Sequence, residues 1–159
     1  MALKEVKKEL NQMEKTEIIK LISEMYKKIP MAKSYLDIFA TGEIKNLAEK
    51  YKKEIEKYVY PSGQNMVLRE VEARKIIRNV RKMKIKELNI ELELFYVECC
   101  LEVIEDFGYW DEKYYVALGK IFNDATSEIS ELGIENKYEE QIENITSKAS
   151  EFGIELLYY

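Results

Sequence analysis

The stretch ELNIELELFYVECCLEVIEDF, residues 87–107, decides the fold. Wound as a helix, it places Leu92, Leu94, Phe95, Tyr96, Val97, Cys99, Cys100, Leu101, Val103, Ile104 and Phe107 over most of its circumference. A helix that is apolar nearly all round belongs at the centre of a domain, covered by other helices. Its polar residues gather into one stripe, Glu91, Glu98, Glu102, Glu105 and Asp106. Glu93 stands alone on the other side.

Immediately upstream lies the most basic part of the chain. All four arginines, Arg69, Arg74, Arg78 and Arg81, fall between Leu68 and Lys86; elsewhere the only cationic side chains are lysines. The stretch follows the breaker Pro61-Ser62-Gly63 and reads as one basic amphipathic helix over 68–86. Ala73, Ile76, Ile77, Val80 and Met83 share its core arc, and Arg74, Arg78 and Arg81, with Lys75 and Lys82, share the opposite arc. Arg69 lies near the apolar arc at the helix start, where an arginine must pair or snorkel. A hairpin turn near Lys86 would set Arg81 level with Glu91 and Arg74 level with Glu98, making Glu91, Glu98, Glu102 and Glu105 an acidic counter-stripe.

Downstream, Gly108 caps the central helix, and Tyr109-Trp110-Asp111-Glu112 turns into a helix that reaches Leu132. Gly119 in mid-helix weakens helix propensity and marks a candidate close packing point. Gly133 stops that helix, and the last one runs over 136–151 with Tyr138, Ile142, Ile145, Ala149 and Phe152 inward. The apolar tail from Ile154 to Tyr159 is expected to pack back or to join a partner. Towards the N-terminus the periodicity gives helices over 2–12, 15–28, 31–40 and 43–58, interrupted by Pro30 and Thr41-Gly42. Tyr26, Tyr35, Tyr51, Tyr58, Tyr115 and Tyr138 fall at core-stripe spacing and are expected half-buried, hydroxyl outward.

These elements make an all-α fold of seven or eight helices, an irregular bundle or a short superhelix of helical hairpins. The pair 87–107 and 111–132 has the look of a tetratricopeptide-type hairpin, without a repeated period. One domain over 1–159 is expected, with N-terminal helices in 1–60, central helices in 66–133 and a C-terminal helix and tail in 136–159. Two prolines and six glycines are too few for the turns of a strand-rich fold. No apolar run is long enough to cross a bilayer, and the first residues lack the apolar core of a signal peptide. Adjacent Cys99 and Cys100 point apart on a helix and read as reduced core residues, so a cytoplasmic protein is expected.

The net charge of −5 conceals a segregation. Residues 1–68 carry 13 cations and 10 anions, residues 69–86 eight and two, and residues 87–159 four and 18. A chain divided in this way can present one charged face to a partner despite its acidic total.

From Tyr60-Pro61 through Leu68-Arg69, Ala73-Arg74-Lys75-Ile76-Ile77 and on to Phe95-Tyr96-Val97-Glu98, the chain resembles a bacterial domain-of-unknown-function family. Its members show an aromatic-Pro turn, a Leu-Arg step, a basic helix and a Tyr-Tyr-Val-Glu-type helix. The N-terminal helices and the Phe107-Gly108 to Tyr115 junction fit the same pattern. The resemblance implies an all-α domain from a bacterium and carries no activity or catalytic residues.

The residues argue against most enzyme chemistry. No histidine is present, so Ser-His, Cys-His and His-metal arrangements cannot be built, and no Gly-rich phosphate loop follows a strand. Neither a cofactor nor a metal site is expected, and the chain is expected to be non-catalytic. Three readings of the basic stripe stay open. It pairs with the acidic stripe within the fold, it meets a protein partner or a second copy, or it contacts nucleic-acid phosphates. The leading expectation is an interaction module that binds a protein or itself through residues 68–86 and the neighbouring groove. Nucleic acid is the runner-up, a small enzyme comes third, and the candidate binding residues are Arg69, Arg74, Arg78, Arg81, Lys75 and Lys82.

Overall fold

A computed structural model describes residues 2–63, 67–109 and 111–156. Its described residues form eight α-helices and no strand, an all-α helical bundle. The helices are α1 (Leu3–Gln12), α2 (Lys15–Lys28), α3 (Pro30–Thr41), α4 (Lys45–Val59), α5 (Glu70–Arg81), α6 (Lys86–Phe107), α7 (Glu112–Leu132) and α8 (Glu135–Glu151). The chain divides into two compact units, Met1–Glu43 and Ile44–Tyr159. The division falls after α3, so α4 does not group with the N-terminal helices as the sequence reading has it.

In the first unit, local signals set the helix ends. Glu14 and Glu17 form a capping box at the start of α2, each carboxylate serving the other's backbone N–H. Pro30 occupies the first turn of α3, where its missing N–H is no loss. Gly42 closes α3 in the left-handed region, at φ 70°. α2 packs on α3, and the Tyr26 hydroxyl donates to Asp37 at 2.9 Å. No residue of α1 or α2 is buried, and Tyr26 and Tyr35 are exposed rather than half-buried.

In the second unit, α6 touches α4, α5, α7 and α8. That wrapping is what its sequence demands. Leu88, Ile90, Leu92, Leu94, Tyr96, Val97, Cys100 and Val103 are wholly shielded from solvent. α4 gives Ile55 and Val59 to this core, α5 gives Ala73, Ile77 and Val80, and α7 gives Leu118, Phe122 and Ile129. Each Val, Leu, Ile or Phe side chain buried in this way contributes roughly 1.5–3 kcal/mol. Cys99 and Cys100 are free and buried, and burial pushes the Cys100 thiol up to about 12.

The basic helix is shorter than 68–86. It ends at Arg81, and Lys82 to Lys84 make the reversing turn into α6. No glycine stands there, so Lys84 takes the left-handed conformation at φ 55°, a cost of about 1–2 kcal/mol for an L-residue. At the next turn, Gly108 supplies the positive φ, and the Asp111 carboxylate caps α7 by accepting from the Tyr114 N–H at 3.0 Å. After α8, Gly153 is left-handed and the Ile154 N–H reaches the Ala149 carbonyl at 2.9 Å. Gln64, Asn65, Trp110 and the tail residues Leu157, Tyr158 and Tyr159 lie outside the described residues.

Gly119 does not mark a close packing point. A Cβ built there meets nothing within 4 Å. Its cost to α7 is therefore backbone entropy alone, about 1 kcal/mol relative to alanine. Gly119→Ala is expected to raise stability by that amount, read as a higher urea midpoint at unchanged m-value. A drop in the midpoint would show that the site is tighter than its geometry.

Candidate functional site

α5 and α7 both pack on α6, and residues of both line one cleft. The C-terminal end of α5 is fixed by Arg81, which reaches across to both neighbours. Its Nε donates to Glu93 Oε1 at 2.5 Å, and a second guanidinium nitrogen pairs with the same carboxylate. The guanidinium also faces Glu128 at 3.4 Å and Asp124 at 3.8 Å on α7. The Glu93 side chain is 1% exposed, whereas that of Arg81 keeps about a third of its surface. Burial pushes the Glu93 carboxyl up to about 8, against the pull of Arg81 in the other direction. Burial likewise raises Glu128. Burial works against the Arg81 charge too, but the three carboxylates outweigh it and its pKa stands above the ordinary value.

Beside this cluster a cleft of about 310 Å³ opens between α5 and α7. Arg74, Arg78 and Lys120 line it with Arg81, Glu93 and Asp124, and Ile77, Ala117 and Ile121 give it apolar walls. Arg74 Nη2 donates to Glu70 Oε1 at 3.2 Å, one turn earlier on α5. Arg78 and Lys120 are exposed and have no ion pair among the described residues. Lysine and arginine charges left free at the mouth of a cleft are available to an anion.

The other candidates fall elsewhere. Arg69 is the N-cap residue of α5 and is exposed. Its guanidinium lies 5.3 Å from the Tyr58 ring centre, and Nη2 donates to Ser62 Oγ at 3.0 Å. The demand that it pair or snorkel is met by stacking on α4, away from the cleft. Lys75 pairs with Glu72 on its own helix at 2.8 Å, and Lys82 sits in the turn after α5.

The acidic stripe does not answer the basic helix. Glu91 pairs with Lys52 of α4 at 3.1 Å, and Glu98 accepts from Gln141 of α8 at 2.9 Å. Glu102 accepts from the Tyr60 hydroxyl, and Glu105 pairs with Lys148 of α8 at 2.6 Å. The expected Arg81–Glu91 and Arg74–Glu98 registers therefore give way to Arg81–Glu93. The reason is rotational: the stripe of α6 faces α4 and α8, while Glu93 points to α5 and α7. A second cavity, about 350 Å³, lies along that stripe and is lined by Glu56, Glu98 and Glu102 with Phe95. Glu98 and Glu102 are already engaged by neighbours, so the α5–α7 cleft holds the freer charges.

Reading the residues in order misses Glu93, Lys120, Asp124 and Glu128 as members of the site. Glu93 had a signal, since it is the one acid set apart from the α6 stripe. Asp124 and Glu128 are one turn apart on α7, an ordinary surface pair until Arg81 is placed beside them. No family model matches the chain, and no curated protein and no solved structure matches it.

The buried carboxyl gives stability a pH dependence of definite sign. In the fold Glu93 keeps its proton up to about pH 8, and in the unfolded chain it loses it near 4.5. Between those values the folded chain holds the extra proton, so stability falls as pH rises, by up to about 1.4 kcal/mol per pH unit. Glu93→Gln is expected to flatten that slope between pH 5 and 8. Urea midpoints for both proteins across that range provide the check, and parallel slopes would contradict the assignment.

Proposed function

We propose that this chain is a non-catalytic interaction module of the bacterial family it resembles, working in the cytoplasm. It binds a protein partner through the basic face of α5 and the cleft between α5 and α7. One observation carries the reading: Arg78 and Lys120 stand exposed on either side of a cleft of about 310 Å³ with no ion pair among the described residues. Ile77, Ala117 and Ile121 line the same cleft. Apolar walls with a charged rim suit an acidic segment that also carries an aliphatic or aromatic anchor. The net charge of +6 over residues 69–86 would steer such a segment towards the cleft.

The reading is tested by fluorescence anisotropy with a labelled peptide of alternating glutamate and leucine, at low and at physiological salt. Binding is expected to be saturable and to weaken at least tenfold in Arg78→Glu and in Lys120→Glu, about 1.4 kcal/mol or more. Duplex DNA and single-stranded RNA form the second arm. Tighter binding to either, with a steep salt dependence lost in Arg78→Glu, would transfer the reading to nucleic acid. Sedimentation of the chain alone forms the third, where a dimer whose mass falls with salt would make the partner a second copy.

A further inference from the structure

The lining of the α5–α7 cleft is unbalanced in charge. Four cations line it, Arg74, Arg78, Arg81 and Lys120, against two acids, Glu93 and Asp124. Arg74 is held by Glu70, and Arg81 by Glu93, Asp124 and Glu128. Both lining acids are thereby engaged, and Arg78 and Lys120 have no ion pair among the described residues. Lys120 lies one turn before Asp124, yet Asp124 pairs with Arg81 instead. Ordinary surface chemistry explains one of the two free cations. Arg78 is in the last turn of α5, where a cation complements the helix dipole. Lys120 stands well inside α7, away from either end, and has no such account.

The buried atoms left over point the same way. Arg74 Nε, Arg81 Nη2 and Glu93 Oε2, all on lining residues, are shielded from solvent and make no directed hydrogen bond among the described residues. Arg81 Nε donates to Glu93 Oε1, so Oε2 is the oxygen free to carry the proton that burial keeps on this carboxyl below about pH 8. Each of the three atoms is then an N–H or O–H donor. The lining is short of acceptors, and with Glu93 neutral its four cations stand against the Asp124 carboxylate alone.

Two unanswered cations fit a doubly charged anion better than a single carboxylate. A phosphate monoester carries about −1.5 to −2 charges near pH 7 and three acceptor oxygens. A guanidinium fork meets two of those oxygens at once, and a lysine serves as a point charge. Ile77, Ala117 and Ile121 offer the organic half of such an ester an apolar wall, in a cleft of about 310 Å³. We propose that this cleft binds a phosphate monoester, its phosphoryl group held by Arg78 and Lys120 and its apolar ester group lying against Ile77, Ala117 and Ile121. The site rests on the cleft being the binding surface, as the docking of an acidic segment does, and specifies the anion it takes.

The test follows the ¹⁵N-labelled full chain near pH 7 with phenyl phosphate, its methyl ester and inorganic phosphate. Saturable shifts on α5 and α7 are expected with phenyl phosphate. The methyl ester keeps the ring with only one charge, as in each diester of a nucleic-acid backbone, and inorganic phosphate keeps the charge without the ring. Each is expected to bind at least tenfold more weakly. Arg78→Gln and Lys120→Gln alter exposed side chains, and each is expected to weaken phenyl phosphate at least tenfold and to narrow its margin over the methyl ester. Asp124→Asn removes the opposing carboxylate and is expected to tighten phenyl phosphate at least threefold, a gain that misfolding cannot produce. A peptide carrying phosphotyrosine presents the same group. Binding tighter than that of phenyl phosphate makes the source a phosphorylated side chain, and weaker binding makes it a free small ester. The glutamate–leucine peptide separates the two proposals: binding of that peptide without phenyl phosphate overturns the phosphate site alone, and the reverse overturns only the docking of an acidic segment. Equal affinity for the methyl ester, shifts that never saturate, or unchanged affinity in both Arg78→Gln and Lys120→Gln would also overturn the phosphate site.

Discussion

A helix with no broad solvated face has to be covered on every side, and α6 imposes that constraint on the second unit. Its side chains around the circumference are shielded, and four helices are needed to shield them. The covering helices need only narrow apolar stripes. That is why α4, α5 and α8 can be strongly charged outside and still belong to a bundle. Each of the four covering helices rests on the apolar helix.

The departure from that rule is Glu93. It sits among the apolar residues of α6 at 1% exposure, where an unpaired carboxylate would cost several kcal/mol. The Arg81 guanidinium donates to that carboxyl, and Asp124 and Glu128 draw the same guanidinium towards α7. A hydrophobic pair of equal volume would hold the two helices at least as well. A directed hydrogen bond to a buried carboxyl does something that hydrophobic contact does not, which is to favour one rotation and register. Arg81 meets α6 and α7 together, and Arg78 and Lys120 line the cleft beside it.

Much of the fold is legible in the chain. Pro30, the glycines at 42, 108, 133 and 153, and Asp111 set helix ends within a residue or two, because caps are local chemistry. The apolar run of 87–107 places α6 at the centre. The end of α5 is less legible, because Lys84 adopts a backbone conformation that usually announces itself by glycine. The division after Glu43 is not marked by any linker composition.

The candidate site is legible by half. A helical wheel gives the arcs of α5 and α6 separately but not the angle at which one faces the other. Matching arcs by charge alone favours Arg81 with Glu91, since oppositely charged stripes on a hairpin attract. Packing decides otherwise: the acidic stripe of α6 is satisfied by Lys52, Tyr60, Gln141 and Lys148 from α4, the α4–α5 connection and α8. Once those contacts are assigned, only the isolated Glu93 is left for Arg81. Surface ion pairs are each worth about 1 kcal/mol or less and yield to core packing. A buried carboxylate does not yield, so a lone acid on an apolar face carries more information about helix arrangement than a long stripe of them.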